Sequence, residues 1–205
     1  MHIAILTFEG FNELDSLIAF GVVNRIRTGD WRVSIASPSP RVRSRGGLVL
    51  ESHIALDEAN AADAVIVGSG LRTREVVADR ALMARLQFDP TRQLLGGQCS
   101  GTLVLARLGL LAGGPACTDS VTKPWVQEAG VEVLEQPFFA KNNVATAGGC
   151  VSSAYLAAWM IARLDGVDAA AGALHYVAPV GEKEDYVRNA MRKIAPYLDE
   201  AVVTT

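Results

Sequence analysis

The chain has 205 residues, of which 50% are hydrophobic and 20% are charged, and its formal net charge is −3 at pH 7. This composition is typical of a globular protein with a sizeable core and excludes an intrinsically disordered chain. The small negative charge gives no reason to expect nucleic acid or an anionic membrane as a partner. Three cysteines without a CxxC pair or Cys/His ligand spacing argue against a disulfide framework or a zinc site.

Two segments bear on where the protein resides. The N-terminal sequence MHIAILTF has the pattern of a strand and lacks the basic start and cleavage site of a signal peptide. Residues 144–162 are uncharged and almost long enough to span a bilayer, but Gly148, Gly149 and several hydroxyl residues interrupt them. We therefore expect a strand, a turn and a buried helix there, and a soluble, cytoplasmic protein.

Strand and helix signals alternate along the chain. Short apolar runs predict strands at residues 2–7, 31–37, 64–67, 115–118, 131–134 and 143–146, and immediately before Cys99. Helical periodicity predicts helices at residues 12–26, with Asn12 as the N-cap, and at 74–87, 102–112, 151–164 and 184–198. A polar segment over residues 41–51 predicts a small hairpin that turns at residues 45–47.

This alternation predicts an α/β fold with a mostly parallel sheet and helices on both faces. No linker, repeat or low-complexity stretch divides the sequence, so we expect one domain over residues 1–205. Ligands of such sheets bind at the carboxyl ends of the strands. The turn after the first strand, Gly68-Ser69-Gly70 and Cys99 are all expected at that edge.

The most informative motif is Gly97-Gln98-Cys99-Ser100-Gly101, which joins a short apolar strand directly to a helix. This is the pattern of a nucleophile elbow, with cysteine where α/β-hydrolases have serine. Glycine on either side permits a tight turn that leaves the central side chain projecting. A thiol above a helix N-terminus is expected to have a lowered pKa, so Cys99 is the candidate nucleophile.

The other cysteines lie in different settings. Cys117 belongs to the short apolar run at residues 115–118, where we expect it to be buried and protonated. Cys150 follows Gly148-Gly149 at the start of a helix, which makes it a weaker second candidate. The alternative for Cys99 itself is an inert core thiol, since free cysteine is among the most buried residue types.

The sequence resembles the ThiJ/PfpI superfamily over nearly its whole length. Four motifs in the expected order carry this resemblance: FEGFNELD at residues 8–15, VIVGSG at 65–70, GQCSG at 97–101 with LGLL at 108–111, and TAGG at 146–149. The resemblance implies a flavodoxin-like, doubly wound fold akin to class I glutamine amidotransferase domains. It is greatest for the isonitrile hydratase branch and for sensing domains of AraC-type regulators.

The resemblance also implies roles for individual residues. Asp15 matches the acid that members of the superfamily hold close to the cysteine sulfur, and Glu13, two positions away, is its rival. The backbone of Gly68-Ser69-Gly70 and of Ser100 would supply donors for a developing anion or bind the substrate, and the Ser100 hydroxyl could add a contact. Isonitrile hydratases add water to an isocyanide to give an N-substituted formamide without a metal or organic cofactor. The resemblance further implies a homodimer.

Two other functions remain open on the sequence: a glyoxalase or deglycase acting on reactive carbonyls, and a non-catalytic ligand or cysteine-oxidation sensor. None of the three histidines falls where it would plainly pair with Cys99, which disfavours a Cys-His-acid triad. The sequence also departs from the superfamily pattern at three places: Ile18-Ala19 replaces Gly-Pro, Ser100 replaces the histidine of peptidase-like members, and Thr118-Asp119-Ser120 replaces Thr-His-Trp. The substrate pocket is therefore expected to be altered.

Overall fold

A central β-sheet dominates the computed structural model, which describes residues 1–26 and 29–198. The strands of this part of the chain are β1 (His2–Leu6), β2 (Arg32–Ser37), β3 (Arg41–Arg43), β4 (Val49–Glu51), β5 (Ile54–Ala55), β6 (Ala64–Val67), β7 (Leu94–Gln98), β8 (Phe138–Lys141) and β9 (Val144–Ala147). Seven of them form one sheet in the order β5-β2-β1-β6-β7-β9-β8, and β3 and β4 pair separately as the expected hairpin.

The α-helices of the described residues lie between these strands or after the last of them. They are α1 (Glu13–Val23), α2 (Thr73–Ala78), α3 (Arg80–Ala84), α4 (Gly101–Arg107), α5 (Lys123–Glu128), α6 (Ser153–Asp165), α7 (Val167–Val177) and α8 (Lys183–Ile194). Short 3-10 turns occur at Leu56–Ala61, Cys150–Ser152 and Ala195–Tyr197. The end of the predicted domain, residues 199–205, lies outside the described residues.

The sheet is parallel except at one edge. β1 pairs in parallel with both β2 and β6, β7 pairs in parallel with β6 and β9, and β8 alone runs antiparallel, against β9. The chain therefore moves to one side of β1 first and to the other side afterwards. In a doubly wound sheet, this change of direction opens a crevice at the carboxyl ends of the strands.

Helices cover both faces of the sheet, as the sequence predicted. Alternate residues of β1 enter different cores: Ile3 and Ile5 pack with α1, α6, α7 and α8, whereas Leu6 packs with α2 and α4. Trp159 on α6 is the largest fully buried side chain. A parallel sheet needs an apolar layer on each side, and both layers are present here. The flavodoxin-like α/β prediction is therefore confirmed.

Two of the predicted helices are interrupted or shorter in the structure. The helix predicted over residues 102–112 ends at Arg107, because Gly109 adopts φ +75° and closes a Schellman-type turn in which Leu110 N–H donates to Leu105 O. The helix predicted over residues 74–87 breaks at Asp79, whose carboxylate caps α3 by accepting from Leu82 N–H. Short polar side chains favour caps over helix interiors, so the break follows from local chemistry.

Residues 131–134 and 115–118 were predicted as strands and form only an isolated bridge, between Ala116 and Val133. Their apolar residues instead join a small core with Leu103 and Val126. Strand β8 and helix α7 were not predicted. The segment 144–162 comprises β9, a 3-10 turn and most of α6, as expected. Within residues 1–26 and 29–198, none of the helices has the length and apolar character needed to cross a membrane.

Candidate active site

Cys99 lies at the junction of β7 and α4 and has the backbone conformation of an elbow. Its φ is +48°, in the left-handed region that side chains rarely adopt, and its N–H donates to Ala147 O at 2.8 Å. The following glycine is required by close packing, since a Cβ on Gly101 would lie 2.0 Å from Val67 O. The structure therefore has the strand–elbow–helix geometry that the motif predicted.

Asp15 is brought to the elbow by the first turn of α1, which begins after β1. Asn12 caps this helix through a hydrogen bond from Leu14 N–H, which fixes the turn that carries Asp15. The Asp15 side chain is fully buried, and one of its carboxylate oxygens lies within 4.8 Å of both the Cys99 and the Cys150 sulfur. Ser69 Oγ donates a short hydrogen bond to Asp15 Oδ2.

Two side-chain amides donate to the sulfur atoms of this cluster. Gln98 Nε2 lies 3.3 Å from Cys99 Sγ, and Asn12 Nδ2 lies 3.2 Å from Cys150 Sγ. Sequence reasoning gave Gln98 no role and treated Asn12 only as a cap. It also considered Cys150 only as a rival of Cys99, whereas the structure places the two thiols together. The Gly148-Gly149 turn before Cys150 was the signal that could have indicated this proximity.

The predicted lowering of the Cys99 pKa is wrong in direction. Burial raises the pKa of the Cys99 thiol, and the negative charge of Asp15 and its hydrogen bond raise it further. Burial also raises the pKa of Cys150, again with Asp15 contributing. Burial raises the pKa of Cys117 to about 12, in agreement with a protonated core thiol. Burial and the neighbouring carboxylate both disfavour the thiolate of Cys99.

Glu13, the rival carboxylate, points away from the sulfur toward the β3–β4 hairpin. It accepts a short hydrogen bond from Ser44 Oγ and another from Gly46 N–H at 2.8 Å. The Ser44 hydrogen bond is the main reason that its pKa is lowered. Two positions apart on one helix, Glu13 and Asp15 face different directions, and Asp15 is the one beside Cys99.

The residues expected to supply anion donors are only partly free to do so. Gly68 N–H donates to Leu6 O at 3.0 Å, and Gly70 N–H donates to Ser100 Oγ at 3.1 Å. The Ser100 hydroxyl also contacts Thr73 Oγ1 at 2.7 Å, so it joins the elbow to α2 rather than facing a substrate. Among the described residues, no acceptor is bonded to the backbone N–H groups of Ser69 and Ser100.

A cavity of about 270 Å³ opens onto the cluster. Residues from all the neighbouring loops line it: Asn12, Arg45, Ser69, Gly70, Leu71, Cys99, Ser100, Asp119, Val121, Thr122, Trp125, Gly149 and Cys150. In the segment 118–120, Thr118 Oγ1 donates to Cys99 O at 2.7 Å, and Asp119 accepts from Thr122 N–H at the start of α5. These two residues support the elbow and the helix start.

A larger cavity, of about 440 Å³, lies away from the cluster. Its only ionisable lining residue is Lys141, whose ammonium donates to Gly113 O. The three histidines have their contacts elsewhere: His2 contacts Ser34, His53 accepts from Ile35 N–H, and His175 lies 3.6 Å from Glu184. The thiols, the buried carboxylate and the elbow identify the smaller cavity as the candidate active site.

The model of the DJ-1/PfpI family matches residues 1–163. The chain belongs to the DJ-1/PfpI family. No curated protein sequence matches this family member. Its fold is similar to that of Schizosaccharomyces pombe DJ-1, with a TM-score of 0.75 and 14% identity over 87% of this chain and 100% of that one.

Two further solved structures show the same fold. A THiJ/PfpI family protein from Pseudomonas syringae has a TM-score of 0.77 and 17% identity, over 100% of this chain and 90% of that one. An AraC family transcriptional regulator from Pseudomonas putida has a TM-score of 0.70 and 20% identity, over 86% of this chain and 99% of that one. These structures confirm the fold that the four sequence motifs predicted, and the match to the family model confirms the family.

Proposed function

We propose that this chain is a cysteine-dependent hydratase that converts a small isocyanide into an N-substituted formamide. The observation that carries the proposal is the pairing of the elbow thiol of Cys99 with the fully buried carboxylate of Asp15, within 4.8 Å and without a histidine in the cluster. A thiol and a carboxylate can add across a carbon–nitrogen multiple bond by sharing one proton. The scheme uses only residues of this chain and water.

In the first step, Cys99 Sγ bonds to the terminal carbon of the isocyanide. The thiol proton passes through the Asp15 carboxylate to the same carbon, which gives a thioimidate, S–CH=N–R. The raised pKa of Cys99 suits this step, because the sulfur keeps the proton that the carbon has to receive. Ser69, which donates to Asp15 Oδ2, holds the carboxyl group in the orientation that this transfer needs.

In the second step, water adds to the thioimidate carbon and the nitrogen gains a proton. The tetrahedral intermediate then loses the carbon–sulfur bond, the hydroxyl proton returns to Cys99, and the formamide leaves. The free backbone N–H groups of Ser69 and Ser100 are suited to stabilise charge that develops during these steps. The sequence suggested three further groups as anion donors or substrate-binding groups: Gly68, Gly70 and the Ser100 hydroxyl. In this scheme they have a positioning role.

A carbonyl substrate is the second candidate, because the same thiol and carboxylate could add to methylglyoxal. Arg45 lines the cavity and favours this alternative, because its positive charge can attract a carboxylate product. The two candidates predict different products from different substrates. A direct comparison of isocyanides with methylglyoxal therefore decides between them.

The test is turnover by reduced, chelator-treated protein, with formamide detected by NMR and lactate detected separately. We expect Cys99→Ser to abolish formamide formation and Asp15→Asn to reduce kcat/KM by about 100-fold or more, since general acid–base groups contribute 10²–10⁴-fold. Glu13→Gln and Cys117→Ser are the matched controls and should keep wild-type activity, because neither side chain lies in the cluster.

The proposal fails if Cys99→Ser retains formamide formation, or if no isocyanide is turned over while methylglyoxal yields lactate in a Cys99-dependent way. Oxidation of Cys99 by dilute peroxide without turnover of either substrate would instead support the sensor function. Mass spectrometry of the Cys99 peptide after each incubation separates these outcomes. Each result assigns the elbow to one of the three functions that the sequence left open.

The proposal extends to the setting of the enzyme. We propose that residues 1–205 act as one domain in the cytoplasm, where thiols stay reduced, as a thiol-dependent reaction requires. The proposed partner is a small-molecule substrate, with no role for nucleic acid or a membrane. The homodimer implied by the family resemblance is part of the same proposal.

A further inference from the structure

Three side chains of types that bind metal ions in proteins lie close together at the active-site cavity. The sulfur atoms of Cys99 and Cys150 and a carboxylate oxygen of Asp15 all lie within 4.8 Å of one another. The three residues come from the β7–α4 elbow, the 3-10 turn before α6 and the first turn of α1. Because they are far apart in sequence, no ligand-spacing pattern could have indicated the cluster.

One oxygen of the Asp15 carboxylate has no N–H or O–H donor. Asp15 is fully buried, and Oδ2 accepts the hydrogen bond from Ser69 Oγ. Oδ1 is buried as well, and apart from the thiols of Cys99 and Cys150, which hydrogen-bond with the carboxyl group, no donor in residues 1–26 and 29–198 contacts it. A buried carboxylate oxygen that has only weak thiol donors beside it is costly, so this atom is expected to serve a ligand.

Each of the three groups is also held from outside the cluster. Ser69 donates to Asp15, Gln98 Nε2 donates to Cys99 Sγ at 3.3 Å, and Asn12 Nδ2 donates to Cys150 Sγ at 3.2 Å. Hydrogen bonds of this kind orient metal ligands and stabilise coordinated thiolates.

The cluster brings together groups that can become anionic. No positively charged side chain of residues 1–26 and 29–198 is among those that act most strongly on Cys99. The charged side chains that act most strongly on Cys99 are Asp15 and Asp119, and both are acidic. A divalent cation at the centre would reverse this repulsion and favour both thiolates. The fit between the ligand types and a soft, tetrahedral ion is good, since Zn²⁺ accepts cysteine sulfur and carboxylate oxygen.

We propose that Cys99, Cys150 and Asp15 form a Zn²⁺ site whose fourth position is open to the cavity. Zinc–sulfur and zinc–oxygen bonds of about 2.3 and 2.0 Å place tetrahedral ligands roughly 3.5–3.8 Å apart. The three groups lie within 4.8 Å of one another, so side-chain rotation has to bring them closer by no more than about 1.3 Å. Asn12, Gln98 and Ser69 are the positioning residues of this site.

Binding has two chemical consequences. Both thiols lose their protons, so that each bound ion releases two protons to the solvent. The ion also occupies the lone pairs of Cys99, so a loaded site cannot carry out the nucleophilic step described above. Zinc would thus inhibit the proposed hydratase reversibly. The metal site itself does not depend on the proposed function, because binding is measured without any substrate.

The experiment is titration of the reduced, full-length protein with Co²⁺, followed by displacement with Zn²⁺. We expect one ion per chain, a sulfur-to-cobalt charge-transfer band, and the strong visible bands of tetrahedral cobalt, all lost when Zn²⁺ is added. Proton release measured in weakly buffered solution should approach two per ion. Far-UV circular dichroism of each variant checks that it is folded.

The decisive variant is Cys150→Ser, with Cys117→Ser as the matched control. We expect Cys150→Ser to weaken Co²⁺ binding by at least about 100-fold and to lower the charge-transfer intensity. Asn12→Ala should weaken binding by roughly 10–100-fold while keeping the charge-transfer band, as loss of an outer hydrogen bond does. Cys117→Ser should bind as the wild type does, because Cys117 lies outside the cluster.

The proposal is overturned if Co²⁺ binds without a charge-transfer band, or if a folded Cys150→Ser variant binds with unchanged affinity. It is also overturned if the wild type shows no binding at micromolar Co²⁺ and Zn²⁺. None of these results affects the hydratase proposal, which is tested with chelator present. Conversely, a protein that binds cobalt through both thiols but hydrates no isocyanide supports the metal site alone.

Discussion

At the scale of single residues, the environment of Cys99 is set by burial and by Asp15. The side chain is 4% exposed, and the carboxylate beside it is fully buried. Desolvation disfavours the thiolate, and an adjacent negative charge disfavours it further. The sulfur is therefore a protonated group at neutral pH, and a reaction at this site has to remove and reuse its proton.

The pH dependence of alkylation follows from this raised pKa. The thiolate is the reactive form, so the rate of iodoacetamide labelling at Cys99 should rise with pH, with a midpoint above the ordinary cysteine value of about 8.5. Asp15→Asn removes the negative charge and should move the midpoint to lower pH. Because burial is the larger cause, the midpoint should stay above the ordinary value. Mass spectrometry of the Cys99 peptide measures each rate.

Glu13→Gln serves as the control for this series, since Glu13 faces the hairpin and not the thiol. Its labelling profile should match that of the wild type. A wild-type midpoint below about 8 would show that the helix N-terminus outweighs burial after all, as the sequence suggested. Such a result would also remove the argument that the first chemical step uses the thiol proton.

At the scale of elements, the site depends on how tightly β7, the elbow and α4 pack against β6. Gly101 allows the first turn of α4 to approach the end of β6, where a Cβ would lie 2.0 Å from Val67 O. The obstructing atom is backbone, so it cannot move aside as a side-chain terminus could. This contact fixes the position of Cys99 relative to Gly68-Ser69-Gly70.

Gly101→Ala should therefore destabilise the protein. Overpacking of this kind costs about 1–3 kcal/mol, and a clash with backbone is expected at the upper end of that range. The matched control is Gly172→Ala on α7, where no heavy atom lies within 4 Å of the added Cβ. That change should be neutral or stabilising by up to about 1 kcal/mol, because alanine favours helix. Urea unfolding of both variants gives the comparison.

Equal stability of the Gly101→Ala and Gly172→Ala proteins would contradict the close approach of α4 to β6. The isocyanide assay adds an independent measure, because a displaced elbow would lower kcat/KM in the Gly101→Ala variant even where it stays folded. The Gly172→Ala variant should keep full activity. Stability and activity are thus linked at this junction through one backbone contact.

At the scale of the whole molecule, a doubly wound sheet collects distant segments at one edge. The change of direction at β1 places the loops after β1, β6, β7 and β9 side by side, and these loops supply the active-site residues. The cores on the two faces of the sheet hold these strand ends in register. Rigid strands thereby position groups that are up to 135 positions apart in the chain, as Asp15 and Cys150 are.

A homodimer remains a prediction from the family resemblance. Light scattering of the reduced protein at micromolar concentration should report about twice the mass of one chain. Leu14 on α1 and Val151 beside the site are 55% and 63% exposed. If they belong to the contact between subunits, replacing both with serine should shift the mass toward that of one chain. A wild-type protein that scatters as a single chain over this range would contradict the dimer.

The sequence by itself determined the fold class and the identity of the central cysteine. Alternating apolar runs and helical periodicity are local signals, and the glycines around Cys99 report a backbone turn directly. The sequence also indicated which segments are buried, but not whether a buried segment pairs in a sheet. Residues 131–134 are apolar because they pack against Leu103 and Val126, and not because they pair in a sheet. An apolar run predicts that a segment is buried, but it does not show which segment its backbone bonds to.

The chemistry around the thiol depends on contacts between segments that are distant in the sequence. Which of Glu13 and Asp15 faces Cys99 depends on the rotation of α1 against the sheet, and the direction of the Cys99 pKa shift depends on burial that a local motif does not contain. The approach of Cys150 depends on strand order, which places β9 beside β7. These are long-range contacts, and their energies arise only when segments distant in the chain exclude water together.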